Sequence, residues 1–244
     1  MKDNFSSQSA SYGKYRPDYP PELYDCIFRH VNNFDHAWDC ATGNGQAAKQ
    51  LATVFNRVEA TDISFRQLEN AHQASNIHYQ TCPAESTTFN DNQFDLVTVA
   101  QALHWFDFDR FFKEVKRVLK PSGVLAVWTY GLLTISPEID ALITDFYRNT
   151  IGPYWDEERK HVDNQYQEID FPFQHVLKNS LFIYKNWSLS TLAGYIQTWS
   201  SVEKYRKISG KNPVTNLQSR LSQVWTESKS RITFPITLYI LTGH

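Results

Sequence analysis

WDCATGNGQAA, residues 38–48, decides the fold of this chain. Apolar residues lead into a turn that contains Gly43 and Gly45, and an alanine-rich stretch follows, which predicts a strand, a tight turn and the start of a helix. A second apolar run, VEATD at residues 58–62, ends in Asp62. Glycines let a backbone approach a ligand closely, and a carboxylate about twenty residues later can bind two ribose hydroxyls. The two segments together predict a site for a nucleotide-like cofactor.

Strand and helix patterns alternate on both sides of this turn. Apolar runs predict five strands, at residues 36–39, 57–62, 76–81, 94–100 and 123–130. Amphipathic stretches predict helices between them, at residues 46–55, 64–73 and 108–120. Short strands that alternate with helices are typical of βαβ units around a parallel sheet. The pattern therefore predicts an α/β fold with a doubly wound, mostly parallel sheet.

The pattern becomes mostly helical after residue 130. We predict helices at residues 136–155, 156–166, 190–207 and 216–230, and strands at residues 180–189 and 231–243. Pro235 would push the last strand toward a sheet edge or a bulge. This pattern predicts a cofactor-binding core with an N-terminal arm at residues 1–134, a mostly helical cap insertion for the substrate at 135–220, and a final helix and strand at 221–244.

The composition excludes several classes of protein. Of 244 residues, 41% are hydrophobic and 15% aromatic, which rules out a disordered chain, and a net charge of −2 argues against nucleic acid as a partner. Three cysteines and eight histidines show neither disulfide nor metal-ligand spacing. No apolar run reaches the roughly 18 residues of a spanning helix. The polar first 17 residues lack a signal-peptide core. We expect a cytoplasmic monomer or homodimer that uses no metal and binds no membrane.

The turn also narrows the choice of cofactor. Residues 43–48, GNGQAA, satisfy the G-x-G-x-x-A pattern, which by itself also suits nicotinamide or flavin dinucleotides. Asp39 lies four residues before Gly43, and its carboxylate would repel a pyrophosphate held at the helix start. S-adenosylmethionine has no phosphate and carries a positive ammonium and a positive sulfonium. Asp39 therefore favours S-adenosylmethionine.

Further motifs are spread over almost the whole chain. They are YRPDYP at residues 15–20, DCATGNGQAA at 39–48, ATDIS at 60–64, PAES at 83–86, FDLVTVAQALHWFD at 94–107, KEVKRVLKPSGVLAVW at 113–128, YWDEER at 154–159, TWSSVEKY at 198–205 and FP at 234–235. With these motifs the chain resembles the class I S-adenosylmethionine-dependent methyltransferases, in particular the type 11 methyltransferase domain and its trans-aconitate methyltransferase-like branch. The resemblance implies a seven-stranded, Rossmann-like sheet with a helical cap before the last strand.

The resemblance also implies which residues bind the cofactor. The loop around the methionine part of the cofactor is matched by Asp39, Ala41, Gly43 and Gly45. The acid that binds the ribose is matched by Asp62, the apolar residue beside the adenine by Ile63, and the adenine edge by Ala84 and Glu85. The end of strand four, under the methyl group, is matched by Ala100 and Gln101. The chain departs from the family pattern in two places. Ala41 replaces the first glycine of the loop, and Pro83 replaces an acid that often binds the adenine amino group.

The substrate residues are expected at the carboxyl edge of the sheet and in the cap. His104 follows strand four, where open α/β sheets bind ligands. It is either a helix-start histidine bonded to backbone or a catalytic residue that orients the acceptor or takes its proton. Arg16 could bind an acidic substrate in a bidentate way or lie on the surface. The predicted substrate-binding residues are Tyr12, Tyr15, Arg16, His104, Trp105, Trp128, Tyr130, Trp155 and Trp199. Residues 157–160 are expected on a charged helix surface.

The function predicted on this basis is methyl transfer from S-adenosylmethionine by in-line displacement, with S-adenosylhomocysteine as the product. The resemblance implies a small-molecule acceptor that takes the methyl group on a carboxylate oxygen. Two alternatives stay open at this point. One is a nicotinamide-dependent oxidoreductase, and the other is a non-catalytic module that keeps the fold and binds the cofactor.

Overall fold

The computed structural model describes residues 15–244. Seven strands form one sheet: β1 (His36–Cys40), β2 (Arg57–Asp62), β3 (Ile77–Thr81), β4 (Phe94–Ala100), β5 (Leu119–Tyr130), β6 (His175–Trp187) and β7 (Ser230–Thr242). Their order across the sheet is β3-β2-β1-β4-β5-β7-β6. The first five strands are parallel, and β7 runs antiparallel to both β5 and β6. The predicted seven-stranded, mostly parallel α/β fold is confirmed.

Nine α-helices connect or cover the strands in the part of the chain that the structure describes. They are α1 (Pro21–Phe28), α2 (Gln46–Leu51), α3 (Phe65–Glu69), α4 (Phe108–Val118), α5 (Pro137–Asp145), α6 (Arg159–Asp163), α7 (Leu189–Gln197), α8 (Ser200–Ser209) and α9 (Pro213–Ser222). Pro21 opens α1, because proline has no N–H to lose at a first helical position. The side chain of Asp107 accepts a hydrogen bond from Arg110 N and caps α4.

The apolar side chains of the sheet divide into two buried clusters. Neighbouring residues of a strand point to opposite faces. Accordingly Leu96 of β4 belongs to one cluster and Val97 to the other, and both are fully buried. Helices cover both faces, which explains why β4 and β5 read as almost continuous apolar runs.

The end of the chain differs from the prediction. β7 is not an edge strand, since it pairs with β5 and β6. Pro235 is tolerated because β5 ends opposite Ile236, and beyond that point Gly131 N donates to the Pro235 carbonyl. A strand residue directs its N–H and C=O to the same side, so the missing N–H of Pro235 faces a loop. The edge strand on this side of the sheet is β6, which lies within residues 135–220 and yet belongs to the main sheet.

Candidate functional site

The loop after β1 turns sharply through left-handed backbone conformations. Ala41, Gly43 and Gly45 have φ angles of 54°, 56° and 78°. Thr42 N donates to Thr61 O of β2, and Gly45 N donates back to Thr42 O. A Cβ at Gly45 would collide with the hydroxyl group of Tyr79, whereas a Cβ at Gly43 would meet nothing within 4 Å. The loop is therefore packed against Tyr79 at Gly45, whereas the space beside the Cα of Gly43 is open.

Asp39 holds this loop together from inside. Its side chain is fully buried and accepts hydrogen bonds from Thr42 Oγ1 and Ala48 N through Oδ2, and from Thr98 Oγ1 through Oδ1. Burial raises the pKa of Asp39 to about 6, although these three donors favour the charged form. The geometry thus gives Asp39 a task that the sequence did not predict, which is to fix the turn and the start of α2.

Asp62, at the end of β2, reaches toward the same loop. Its Oδ2 accepts from Gly43 N at 2.9 Å and its Oδ1 from Ser64 N at 2.8 Å. Unlike Asp39, this side chain is only partly buried. The turn and the acid named first in the sequence are therefore neighbours in space, as predicted.

A cleft lies above the loop, and we call it the loop cleft. Its walls come from the N-terminal arm, the loop with the start of α2, and the ends of β4 and β5. The lining residues are Arg16, Tyr19, Ala41, Thr42, Gly43, Asn44, Gln46, Ala47, Ala100, Gln101 and Tyr130. Ile63, Ala84 and Glu85 follow the strands on the β2 and β3 side and lie outside this lining. Glu85 Oε1 accepts from Asp107 N, so it ties the loop after β3 to the cap of α4.

A second cleft adjoins the first beneath the helices that follow β5, and we call it the cap cleft. It is lined by Arg16, Gln101, His104, Trp105, Trp155, Asp156, Arg159, Trp199 and Ser200. Arg16 and Gln101 line both clefts, which places the boundary between the two at these side chains. Gln101 has a left-handed backbone φ of 56°. Residues other than glycine rarely adopt this conformation, and it is often found at functional sites.

Residues 15–20, the described part of the N-terminal arm, border both clefts. Arg16 Nη1 donates to Tyr130 Oη at 2.8 Å, and its guanidinium lies over the Tyr195 ring of α7. Gln46 Nε2 donates to Pro17 O and holds the arm against α2. Arg16 is therefore partly buried and fixed between the sheet and the cap helices, so it is not a freely exposed surface residue.

His104 lies on the floor of the cap cleft and is only 7% exposed. Its Nδ1 is 2.9 Å from Tyr166 Oη, so its partner is a side chain rather than the backbone. Burial, together with the positive charge of Arg159 and the neighbouring His161, lowers the pKa of His104 to about 3. The ring is therefore neutral at neutral pH.

Arg159 is the main residue of the cap cleft that the sequence did not predict. It was expected on a charged helix surface, but its guanidinium stacks over Trp155 at 4.7 Å and its Nε donates to Tyr147 Oη at 2.7 Å. In the YWDEER motif Arg159 lies four residues after Trp155, and this spacing was the available signal. Arg159 and Arg16 bring two guanidinium groups to one small cleft.

The other predicted substrate residues have different positions. Trp105, Trp155 and Trp199 line the cap cleft and Tyr130 lines the loop cleft. The prediction for Trp128 was wrong, because this side chain is fully buried in the core against Tyr19 and Tyr24. The Tyr15 ring packs against Gly194 of α7 and lines neither cleft. Tyr12 lies outside the described residues.

Within residues 15–244, no three His, Cys, Asp or Glu side chains gather in a way that could bind a metal ion. No helix in the same range combines the length and the apolar character needed to span a bilayer.

Known proteins with similar sequences and structures identify the family of this chain. The profile of the family described as "Methyltransferase domain" matches residues 38–127, which run from β1 to β5. A methyltransferase-named protein of Dictyostelium discoideum is 34% identical over 247 aligned residues, covering 98% of this chain and 94% of that protein. The solved structure of a protein from Anaeromyxobacter dehalogenans, named as a type II methyltransferase, is 34% identical, covers 94% of this chain and all of that chain, and has a TM-score of 0.86. This chain is an S-adenosylmethionine-dependent methyltransferase.

A more distant relative adds the cofactor by name. A protein of Saccharomyces cerevisiae whose name is that of an S-adenosylmethionine-dependent methyltransferase is 29% identical over 144 residues, which are 55% of this chain and 48% of that protein. Membership of the methyltransferase family, which the preceding matches show, excludes the nicotinamide alternative.

The methyltransferase's own residues suit this cofactor. The space above Gly43 is open, so the loop forms a cradle that a side chain at this position would enter. Asp62 offers a partly exposed carboxylate beside that cradle. Ala41, Gly43, Ala100 and Gln101 of the predicted cofactor set line the loop cleft, whereas Asp39 and Gly45 support it from below.

Proposed function

We propose that this methyltransferase transfers the methyl group to a carboxylate oxygen of a small-molecule acid that binds in the cap cleft. The observation that carries the proposal is the pair of guanidinium groups, Arg16 and Arg159, in a cleft that meets the loop cleft at Gln101. Arginine binds carboxylates with good geometry because its planar fork presents parallel N–H groups. The resemblance to the trans-aconitate branch supports the same class of acceptor.

The charges in the cap cleft favour an anion. Asp156 is the one acid in its lining, and its Oδ1 pairs with Lys204 Nζ at 2.5 Å, so a cation balances its charge. Arg159 uses its Nε for Tyr147 and for Asp163 at 3.3 Å. The Arg159 side chain lines the cleft, and we assign its other guanidinium N–H groups to the carboxylate of the substrate.

The proposed reaction requires no general acid or base from this chain. The bound cofactor supplies an activated methyl group on a positively charged sulfur. A carboxyl group with a pKa of about 4 is already ionised at neutral pH, so its oxygen needs no general base. Arg16 and Gln101, at the boundary of the two clefts, would align the acceptor oxygen with the cofactor, and the aromatic walls exclude water. Such positioning can contribute roughly 7–11 kcal/mol to lowering the barrier.

The test is a panel of small mono- and dicarboxylic acids, each with its amide and its alcohol, assayed for methyl transfer. The expected products are methyl esters of acids. Arg159→Gln should lower kcat/KM for the best acid about 10- to 150-fold, since charge-assisted hydrogen bonds contribute about 1.5–3 kcal/mol each.

Lys160→Gln is the matched control, because Lys160 is the exposed neighbour of Arg159 on the same short helix. It should leave kcat/KM unchanged. Methylation of amides or alcohols in preference to acids, or equal activity of the Arg159→Gln enzyme and the wild type, would contradict the carboxylate proposal.

A further inference from the structure

The outer edge of β6 is open to a further strand. β6 is the last strand of the sheet, and a groove of about 510 Å³ separates its residues 180–185 from residues 18–22 of the arm. Edge strands are usually protected by charges, prolines or bulges. β6 pairs with β7 without a register shift over all 13 residues, and residues 179–184 contain neither a charge nor a proline. This edge therefore lacks the usual protection against pairing with another strand.

The free backbone groups at this edge belong to the even-numbered residues of β6. In β7, Pro235 O accepts from Gly131 N, so Pro235 directs its backbone groups away from β6. Neighbouring residues of a strand direct their N–H and C=O groups to opposite sides, so Phe234 bonds to its β6 partner, Ile183. By the same alternation, the residues of β6 that direct their N–H and C=O groups to the free edge are Lys178, Ser180, Phe182, Tyr184 and Asn186.

β6 also carries a large share of the exposed apolar side chains. Seven large hydrophobic side chains are exposed in the part of the chain that the structure describes, and four of them are on β6: Val176, Leu177, Phe182 and Tyr184. Phe182 and Tyr184 are 48% and 53% exposed, and their rings stack with centroids 6.1 Å apart. Exposed apolar side chains that cluster in this way mark interaction surfaces.

The sequence of β6 fits one partner in particular, a second copy of itself. Two identical antiparallel strands are related by a two-fold axis, which places residues at equal distances before and after the axis opposite each other. Residues 177–187, LKNSLFIYKNW, form a near palindrome around Phe182. With Phe182 on the axis, apolar residues would face apolar residues at positions 181/183 and 177/187, and a lysine would face an asparagine at 178/186 and 179/185.

The neighbouring registers match less well. An even-numbered residue must lie on the axis, because the even-numbered residues carry the free backbone groups. With Ser180 on the axis, Lys178 would lie opposite Phe182. With Tyr184 on the axis, Phe182 would lie opposite Asn186. Phe182 is therefore the axis residue at which both backbone and side chains are matched.

We propose that β6 pairs antiparallel with β6 of a second copy of this chain, with Phe182 on the two-fold axis. Ser180 N–H and C=O would bond to the partner's Tyr184, and the two sheets of seven strands would form one sheet of fourteen. The Phe182 and Tyr184 rings of both copies would cover one another on one face, and such cross-strand aromatic pairs stabilise sheets. This inference does not depend on the identity of the methyl acceptor.

The first test is the molar mass in solution, measured by light scattering after gel filtration over the micromolar range. The wild type should have twice the mass of one chain. Phe182→Lys should raise the dissociation constant of the dimer at least about tenfold, since it removes both central rings and places two like charges opposite each other. Its fold is checked by circular dichroism.

Phe65→Lys is the matched control, because it makes the same exchange at a phenylalanine that is 63% exposed on α3. It should keep the dimer of the wild type. A monomeric wild type throughout this range, or equal dissociation constants for the wild type and a folded Phe182→Lys protein, would overturn the inference.

Cysteine cross-linking tests the register without the Phe182 variant. Directly opposite residues of a hydrogen-bonded antiparallel pair have Cα atoms about 5.5 Å apart, which suits a disulfide. The double variant Ser180→Cys/Tyr184→Cys should therefore form a disulfide-linked dimer under mild oxidation. Within one chain the two cysteines lie roughly 13 Å apart along the strand and cannot bond. Ser180→Cys alone should stay unlinked, like the wild type. No linked dimer of the double variant, or equal linking of Ser180→Cys alone, would overturn the assigned pairing.

Discussion

Ala41 is the residue of the glycine loop whose side chain is least compatible with its backbone conformation. Its φ of 54° lies in the left-handed region, where a Cβ is unfavourable by roughly 1–2 kcal/mol. Ala41→Gly removes that Cβ, although it also adds freedom to the unfolded chain. We expect a net gain of about 0.5–1 kcal/mol in the free energy of unfolding, measured by urea denaturation.

Ala48→Gly tests the same exchange inside α2, where the backbone is right-handed. It should destabilise the protein by about 1–2 kcal/mol, because glycine in a helix loses more freedom on folding and because the buried methyl group of Ala48 is removed from the core. If Ala41→Gly also destabilised the protein, the left-handed conformation of Ala41 would not be a source of strain.

His104 gives the protein a predictable response to acid. Its pKa is about 3 in the folded protein and about 6.5 in an unfolded chain. Between these values the unfolded state binds more protons, so the stability contributed by the neutral ring is complete above pH 6.5 and is lost as pH falls toward 3. The loss is at most about 1.4 kcal/mol per pH unit.

This effect is measured as the difference between the wild type and His104→Asn in urea unfolding from pH 7 to pH 4. The wild type should lose stability more steeply than the variant over this range. Ser200→Ala, which changes a non-titrating residue of the same cleft, should follow the wild-type slope. Parallel curves for the wild type and His104→Asn would mean that His104 is not held neutral.

At the level of single elements, α4 depends on a cap that is joined to the site. Asp107 Oδ1 accepts from Arg110 N at the first turn, and Asp107 N donates to Glu85 of the loop after β3. Asp107→Ala removes the side-chain cap and should lower the free energy of unfolding by about 1 kcal/mol. Asp109→Ala, an exposed acid in the same first turn, should cost less than half as much, and equal losses would assign the effect to charge rather than to capping.

The elements of the sheet could be predicted from the sequence because each strand carries its own signal. The bounds of β2 and β4 coincide with the prediction, since both strands are apolar runs ended by a polar residue or a turn. The position of β7 could not be predicted in this way. A single proline indicates an edge only if the partner strand continues beside it, and the end of β5 at Tyr130 is a property of the whole sheet.

The side chains of the site also divide into those that could be predicted from the sequence and those that could not. Asp62 and the glycine loop could be predicted because one strand, one turn and one helix bring them together. Arg159, Tyr166 and Trp128 could not, because their surroundings come from elements that are distant in sequence. Helical periodicity states that a residue lies on a helix, but it does not state which helix face meets a cleft.

At the scale of the whole molecule, the arm, the sheet and the cap helices meet at the boundary of the two clefts. Arg16 joins them through Tyr130 on β5 and Tyr195 on α7. The division into a core, a cap at residues 135–220 and a final segment stays a prediction, and β6 shows that the cap region also completes the sheet. Since a ligand of the loop cleft would contact both arm and sheet, its binding should stabilise the folded molecule as a unit.

S-adenosylhomocysteine, the demethylated product, is the ligand for this last test. A ligand that binds only the folded state at 100 times its dissociation constant stabilises it by about 2.7 kcal/mol. For a chain of this size, that corresponds to a rise of about 5–10 °C in Tm. Asp62→Ala removes the carboxylate expected on the ribose and should weaken binding by about 1.5–3 kcal/mol. At the same ligand concentration its stabilisation then falls to about 0.3–1.3 kcal/mol.

Each variant is compared with its own Tm without ligand, because Asp62 also accepts hydrogen bonds from Gly43 N and Ser64 N. Asp62→Asn keeps an oxygen for the ribose and removes the charge, so its shift should lie between those of Asp62→Ala and the wild type. A reduced nicotinamide dinucleotide should leave Tm unchanged, since its pyrophosphate would meet the buried carboxyl group of Asp39 beneath the loop. If the wild type and Asp62→Ala gave equal shifts with S-adenosylhomocysteine, the ribose would lie elsewhere, and the placement of the cofactor in the loop cleft would have to be abandoned.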